Sequence, residues 1–277
     1  MGIRLHAISM EAEMRAGLWT GFFLLEQRSA TLETILKEID RLKAAGFTCG
    51  EMDERNAHAL FVNCDQAVAD ENARRIAEQQ FFTQLHAPKP VDDLAAQLHC
   101  EERIIRVCKL MNIPTMVTHP FIADSYETEP KEKSAAYLAR YAKSAAQAGL
   151  RLALENQIYP VSMDFYLEKA PELGVNIDFA HAMAVGQDVR AMIEAYAERL
   201  FGLHVSDSDG RAQDYHIMPG KGMLNWKAIL EALRQAAYDG DLHLEIVHER
   251  STEAEENDKT AKTAFETVSA LMKEDAR

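Results

Sequence analysis

Four residues of this chain stand where apolar strands should end, and together they carry the donor types that hold a hard divalent cation. Glu155 closes Leu152-Ala153-Leu154-Glu155-Asn156, and Asp178 closes Val175-Asn176-Ile177-Asp178. His204 lies in Leu203-His204-Val205 and Glu245 in Leu244-Glu245-Ile246. Three carboxylates and an imidazole make an oxygen-rich set suited to Mn²⁺, Mg²⁺ or Co²⁺, with Zn²⁺ also within its range. Any one of these residues could be a hydrogen-bonded structural group. Anionic side chains at strand ends are costly to bury without a balancing cation, so ligand-type residues on four strands in succession argue for a shared ion.

Further donors surround the quartet. His86 lies in Leu85-His86-Ala87-Pro88 and His119 in Thr118-His119-Pro120, while His181 follows Asp178 by three residues. Asp214-Tyr215-His216 sits after the seventh strand, and in Asp-x-His the alternation sends both side chains the same way, able to grip one ion. These residues are expected to hold a second or third metal or to wall the site with groups for substrate hydroxyls. His6 and Glu51 read as satisfied core or rim residues. His58, His99, His243 and His248 follow no ligand pattern.

The elements that must gather these groups are legible from periodicity. Short apolar runs predict strands at Ile3–Ile8, Phe47–Met52, Phe82–Ala87, Thr115–His119, Leu150–Glu155, Val175–Phe179, Phe201–Val205 and Leu242–Val247. Amphipathic stretches fill the intervals: the Leu32, Ile35, Leu36, Ile39, Leu42 series, then 67–79, 94–111, 132–148, a short 163–173, 188–199, 226–238 and 253–272. Gly46, Gly149 and Gly174 precede strands and read as left-handed helix stops. Regular alternation of strand and helix implies parallel strands with crossover helices. Eight such units close a sheet, and an open doubly wound sheet would leave the polar strand ends unexplained. The expectation is a single (β/α)8 TIM barrel over residues 1–277, with its chemistry at the carboxyl ends of the strands.

Composition agrees with that reading. The chain has 277 residues, 47% of them hydrophobic, enough to bury a large core without staples. A formal charge of −14 argues against a generally nucleic-acid-binding surface. Cys49, Cys64, Cys100 and Cys108 form no CxxC pair and read as buried thiols in a reducing cytosol. The amino terminus lacks the apolar region of a signal peptide, and no run approaches the roughly 18 apolar residues of a membrane span. The expectation is a cytoplasmic protein with no membrane partner.

Leu154-Glu155-Asn156, Ile177-Asp178-Phe179-Ala180-His181-Ala182, Leu203-His204-Val205-Ser206-Asp207 and Asp214-Tyr215-His216-Ile217-Met218-Pro219-Gly220-Lys221-Gly222 resemble, in order, the xylose isomerase-like barrel superfamily. That group holds sugar and sugar-phosphate isomerases and epimerases, inosose dehydratases, and the endonuclease IV-type AP endonucleases. In its ketose 3-epimerases the metal-holding residues match Glu155, Asp178, His204 and Glu245, and the two glutamates also move protons. The nine zinc ligands of its AP endonucleases match His86, His119, Glu155, Asp178, His181, His204, Asp214, His216 and Glu245. Against the nuclease stand Gln157-Ile158-Tyr159-Pro160 after Glu155-Asn156, Phe179-Ala180 after Asp178, and loops without clustered Arg and Lys.

The resemblance implies a divalent-metal-dependent sugar or sugar-phosphate isomerase or epimerase, working by proton transfer through a metal-stabilised enediolate. Glu155 and Glu245 would be base and acid, with His181 and Arg211 holding substrate oxygens. The alternatives are a lyase or dehydratase on a keto-sugar or inosose, with His216 or His119 as acid, and the three-zinc AP endonuclease. The expected partner is a small carbohydrate rather than nucleic acid, with room for a homo-oligomer. Pro219-Gly220-Lys221-Gly222 is either a phosphate loop or a plain glycine-containing lead-in to the Trp226 helix. Leu18–Leu25 reads as an apolar loop after the first strand, capping the mouth, packing on a second subunit or starting a helix.

Overall fold

The computed structural model describes residues 14–26, 30–121, 131–159, 161–210 and 215–275. Eight parallel strands pair in chain order and close into a barrel. They are β1 (Ala16–Trp19), β2 (Cys49–Met52), β3 (Phe82–His86), β4 (Thr115–Thr118), β5 (Arg151–Glu155), β6 (Leu173–Asp178), β7 (Leu200–Val205) and β8 (Leu242–Leu244). The ring closes where β8 meets β1, with Gly17 opposite His243 and Leu18 opposite Leu244.

The first barrel strand is not the expected one. Ile3–Ile8 and His6 lie outside the described residues, and β1 is formed by Ala16-Gly17-Leu18-Trp19. That segment is short and begins on small residues, so it carries little of the β-branched signal by which strands are read. Its smallness suits a tight place: a Cβ on Gly17 would lie 3.1 Å from both Cys49 Sγ and the His243 ring. In consequence Leu18 and Trp19 belong to the strand itself. The stretch after them is a 3₁₀ turn, Thr20–Phe23, whose Phe22 and Phe23 pack edge-to-face at 5.4 Å inside the core.

The helices run α1 (Leu32–Ala45), α2 (Glu54–Ala57) continuing into a π turn at His58–Val62, α3 (Gln66–Ala77), α4 (Leu94–Met111), α5 (Lys131–Gln147), α6 (Met163–Lys169), α7 (Phe179–Ala184), α8 (Val189–Ala195), α9 (Trp226–Gln235) and α10 (Ala254–Asp275). Local chemistry sets their ends. The side chains of Thr31, Asp93, Asp188 and Asn225 accept from backbone N–H groups in the first turns of α1, α4, α8 and α9. Gly46 stops α1 at φ 112° and Gly149 follows α5 at φ 79°, as expected of left-handed stops. Gly174 does not: it lies inside β6, where a Cβ would run into the Phe201 ring.

Strand alternation divides the core in two. One face of the central strands, with Leu152, Leu154, Val175, Ile177, Leu203 and Val205, is buried beneath the helices. The other face lines the barrel and is polar at its centre, with Glu51, Gln84, Asn176 and His243 buried. Barrel interiors are ordinarily filled by branched apolar side chains. At the amino-terminal end, Arg15 forms a two-pronged pair with Asp241 at 2.8 and 2.7 Å, and Thr83 donates to the same carboxylate at 2.8 Å. Among the described residues no helix is long and apolar enough to cross a membrane.

Candidate metal centre

The carboxyl ends of β5, β6, β7 and β8 deliver the four sequence-selected donors to one point. Glu155 ends β5, Asp178 ends β6, His204 is the penultimate residue of β7, and Glu245 follows β8. The imidazole of His204 is the hub. Its Nδ1 lies 2.6 Å from Glu155 Oε1, 3.0 Å from Glu245 Oε2 and 3.7 Å from Asp178 Oδ2. One ligand atom from each of the four falls within 4.8 Å of every other.

Two further groups flank the quartet and share its carboxylates. His86, His119 and Glu155 form one, and Asp178, His181 and His216 the other. His86 Nε2 is 3.3 Å from Glu155 Oε2, and His119 Nε2 bonds the same oxygen. On the other side His216 Nε2 lies 3.1 Å from Asp178 Oδ2. Asp214, expected to grip an ion with His216, and Arg211, expected to hold substrate oxygens, lie outside the described residues.

Two of the flanking imidazoles are held by backbone carbonyls, the kind of outer partner that orients metal-ligating histidines. His86 Nδ1 donates to the Ala87 carbonyl at 3.1 Å and His181 Nδ1 to the Asn156 carbonyl at 2.8 Å. Asn156 does more, and no motif announces it. Its amide donates to the Asp178 carbonyl at 3.0 Å and accepts from the Asp178 N–H at 2.7 Å, fastening the end of β5 to the end of β6. Asp178 in turn caps α7, accepting from His181 N–H at 2.8 Å. The side chain that would meet an ion is thus held by the helix it starts.

The electrostatics follow from burying so many acids beside imidazoles. Burial alone would raise the Glu155 carboxyl, but His204 and His119 hold it well below the usual carboxylate range. Glu245 is also pushed upward by burial, yet His204 outweighs this and brings it down to about 2. Asp178 goes the other way: burial lifts it to about 6 despite His181 and His216. Burial disfavours charged His204, but Glu51, Glu155 and Glu245 overcome that and raise it well above its ordinary value.

Two loops around the mouth differ from expectation. The Pro219–Gly222 stretch is not an open cradle, because buried Asp207 accepts from Gly220 N–H at 2.9 Å, Leu224 N–H at 3.1 Å and Trp226 Nε1 at 2.9 Å. A Cβ on Gly222 would lie 2.1 Å from Asp207 Oδ1. The loop is folded around an internal carboxylate. After the next two strands round, β8 and β1, Arg250 donates to the carbonyls of Val247 at 3.2 Å and Gly21 at 3.2 Å and sits over the Trp19 ring. Sequence reading passed over it, since no motif marks it.

Comparisons with known proteins agree with this architecture. Residues 39–271 match the family model of the xylose isomerase-like TIM barrel. An inosose isomerase of Halalkalibacterium halodurans is 25% identical over 185 residues, covering 60% of this chain and 66% of that protein, just under two thirds of its length. Among solved structures, an L-ribulose 3-epimerase superposes with a TM-score of 0.73 at 18% identity, covering 95% of this chain and 96% of the other. A D-psicose 3-epimerase from Clostridium cellulolyticum H10 gives 0.74 at 15% identity over 94% and 99%.

Proposed function

Since the chain belongs to the xylose isomerase-like TIM barrel family, we propose that it is a divalent-metal-dependent sugar isomerase or epimerase that moves a proton beside a substrate carbonyl. The observation that carries this reading is the placement of two glutamates, Glu155 and Glu245, around one imidazole nitrogen with an aspartate. The named activities of the relatives, on inososes and ketoses, support it.

The donor set fits a hard cation. Three carboxylates converge on a buried point, and Asp178, lifted to about 6 by that burial, is the group a cation would most relieve. Glu155, Asp178, His204 and Glu245 would hold the ion, which when bound would polarise the substrate carbonyl as a Lewis acid. The two glutamates then differ in what they can do. Both oxygens of Glu155 are engaged, one by His204 and the other by His86 and His119, and its side chain is 2% exposed. Glu245 is 15% exposed and faces the mouth, so it is the freer group to take the proton from carbon. Glu155 returns or takes a proton on the other side only as one of its histidine bonds yields. His181 and His216 line the Asp178 side, placed to hold substrate hydroxyls.

The test is isotope exchange. Ketoses, inososes and sugar phosphates are incubated with the Mn²⁺-loaded protein in D₂O, and label at the carbon beside the carbonyl is read by NMR. Exchange in the wild type and its loss in Glu245→Gln are expected. A Glu245→Gln variant that exchanges at the wild-type rate refutes the assignment.

The shared-carboxylate geometry favours a second reading, a three-ion centre of the phosphodiesterase kind, since each flanking triad could take its own ion. Metal analysis gives one ion per chain on the first reading. On the second it gives three, together with incision of abasic DNA.

A further inference from the structure

We propose that Glu51 is a positioning residue of the metal centre, fixing the His204 ring so that Nδ1 presents a lone pair to the ion. The proposal rests on the metal-centre reading above and adds to it a residue outside the ligand quartet. A histidine binds a cation through an unprotonated nitrogen, so its proton must sit on the other nitrogen and needs an acceptor there. In His204 the Nδ1 edge faces Glu155, Glu245 and Asp178. The Nε2 edge faces only Glu51 among these acids, at 3.1 Å from Oε1 and 3.0 Å from Oε2. Carboxylates face both nitrogens, so an ion held among Glu155, Asp178 and Glu245 would displace the Nδ1 proton, while Glu51 as acceptor would keep the remaining proton on Nε2.

The surroundings of Glu51 hold it in this contact. It is fully buried inside the barrel, where a carboxylate is costly unless something holds it. Its second partner is Gln84, whose amide donates at 3.2 Å and also reaches Asn176 Oδ1 at 3.4 Å. Gly202, two residues before His204, leaves room for this bridge: a Cβ there would lie 2.5 Å from Gln84 Oε1 and 2.6 Å from Asn176 Oδ1. Both ends of the bridge coincide with breaks in strand register, between Gly50 and Glu51 in the β2/β3 pair and between Val175 and Asn176 in β6/β7. Such irregularities re-aim side chains and are common beside active sites.

If Glu51 were only a packing ion pair, its loss would lower stability and leave ion affinity alone. The experiment therefore measures Co²⁺ affinity by chelator competition, the Co²⁺ absorption spectrum, and the melting of the metal-free protein. It compares wild type, Glu51→Gln, His204→Ala and the double variant. Glu51→Gln nearly preserves shape, and the melting of the metal-free protein checks that it folds. Glu51→Gln is expected to weaken Co²⁺ binding by roughly 10–100-fold with an altered spectrum, the range typical of lost outer partners. In His204→Ala the same change should cost nothing more, because its effect passes through that ring. A folded Glu51→Gln with wild-type affinity overturns the proposal, as do additive losses in the double variant. A wild type that takes up no divalent ion overturns the metal centre itself, and the role of Glu51 with it.

Discussion

Asp207 shows how one side chain can decide what a loop is for. Its carboxylate occupies the N–H groups that Gly220 and Leu224 would otherwise offer to an anion, so the glycines after β7 serve an internal turn. Replacing it with alanine leaves Trp226 Nε1 unpaired in a buried place and strips the part-buried Gly220 and Leu224 N–H groups of their acceptor. Asp207→Ala should cost ~2–4 kcal/mol in urea unfolding, since hydrogen bonds to a charged group contribute about 1.5–3 each and are only partly independent. An unchanged midpoint would show that the loop holds itself. At this scale the quartet was legible because each member combined a ligand type with a strand end. Glu51 met the same two conditions but was read as a satisfied core residue. Its partner is an imidazole from five strands further along the barrel, and no sequence pattern announces that neighbour. Asn156 was invisible for the same reason: its function is a pair of bonds to the next strand.

Strands and helices were read well where length and periodicity agreed. The helix expected over 94–111 is α4 at those bounds, and β3 to β5 fall within one residue of expectation. What differed was β1, whose Ala-Gly start suits close approach to Cys49 and His243 on the two neighbouring strands rather than a local preference. The register breaks in β2/β3 and β6/β7 were equally hidden, because they depend on which residue each strand faces. Gly46 offers a direct test of element ends. It stops α1 at φ 112°, and a Cβ would lie 2.5 Å from the Phe265 ring where α1 meets α10. Gly46→Ala should lose ~1–3 kcal/mol through backbone strain and displaced packing, measurable as a lowered melting midpoint.

The whole molecule has a net charge of −14 and gathers much of its buried acid into one end of the barrel. Ion uptake should therefore be visible in global stability: free Mn²⁺ at about 100 times its dissociation constant should add ~2.7 kcal/mol, and a chelator should remove it. No difference between the two melts would count against a preformed site. A second global effect comes from Glu38 on α1, which burial raises to about 8 from an ordinary 4.5. A carboxyl raised in the folded state retains its proton where the unfolded chain has lost it. Stability should fall between pH 4.5 and 8, by up to ~1.4 kcal/mol per unit, and level off above. Glu38→Gln should flatten that slope in calorimetry, and an unaltered slope would assign it elsewhere. Because Glu155 and Asp178 each belong to two donor groups at once, mutational dissection has a built-in asymmetry. A lesion at either carboxylate silences neighbouring functions together and reads as an all-or-none phenotype. Only the unshared positions, such as His86, Glu245 and His216, can reveal whether the barrel mouth is one instrument or several.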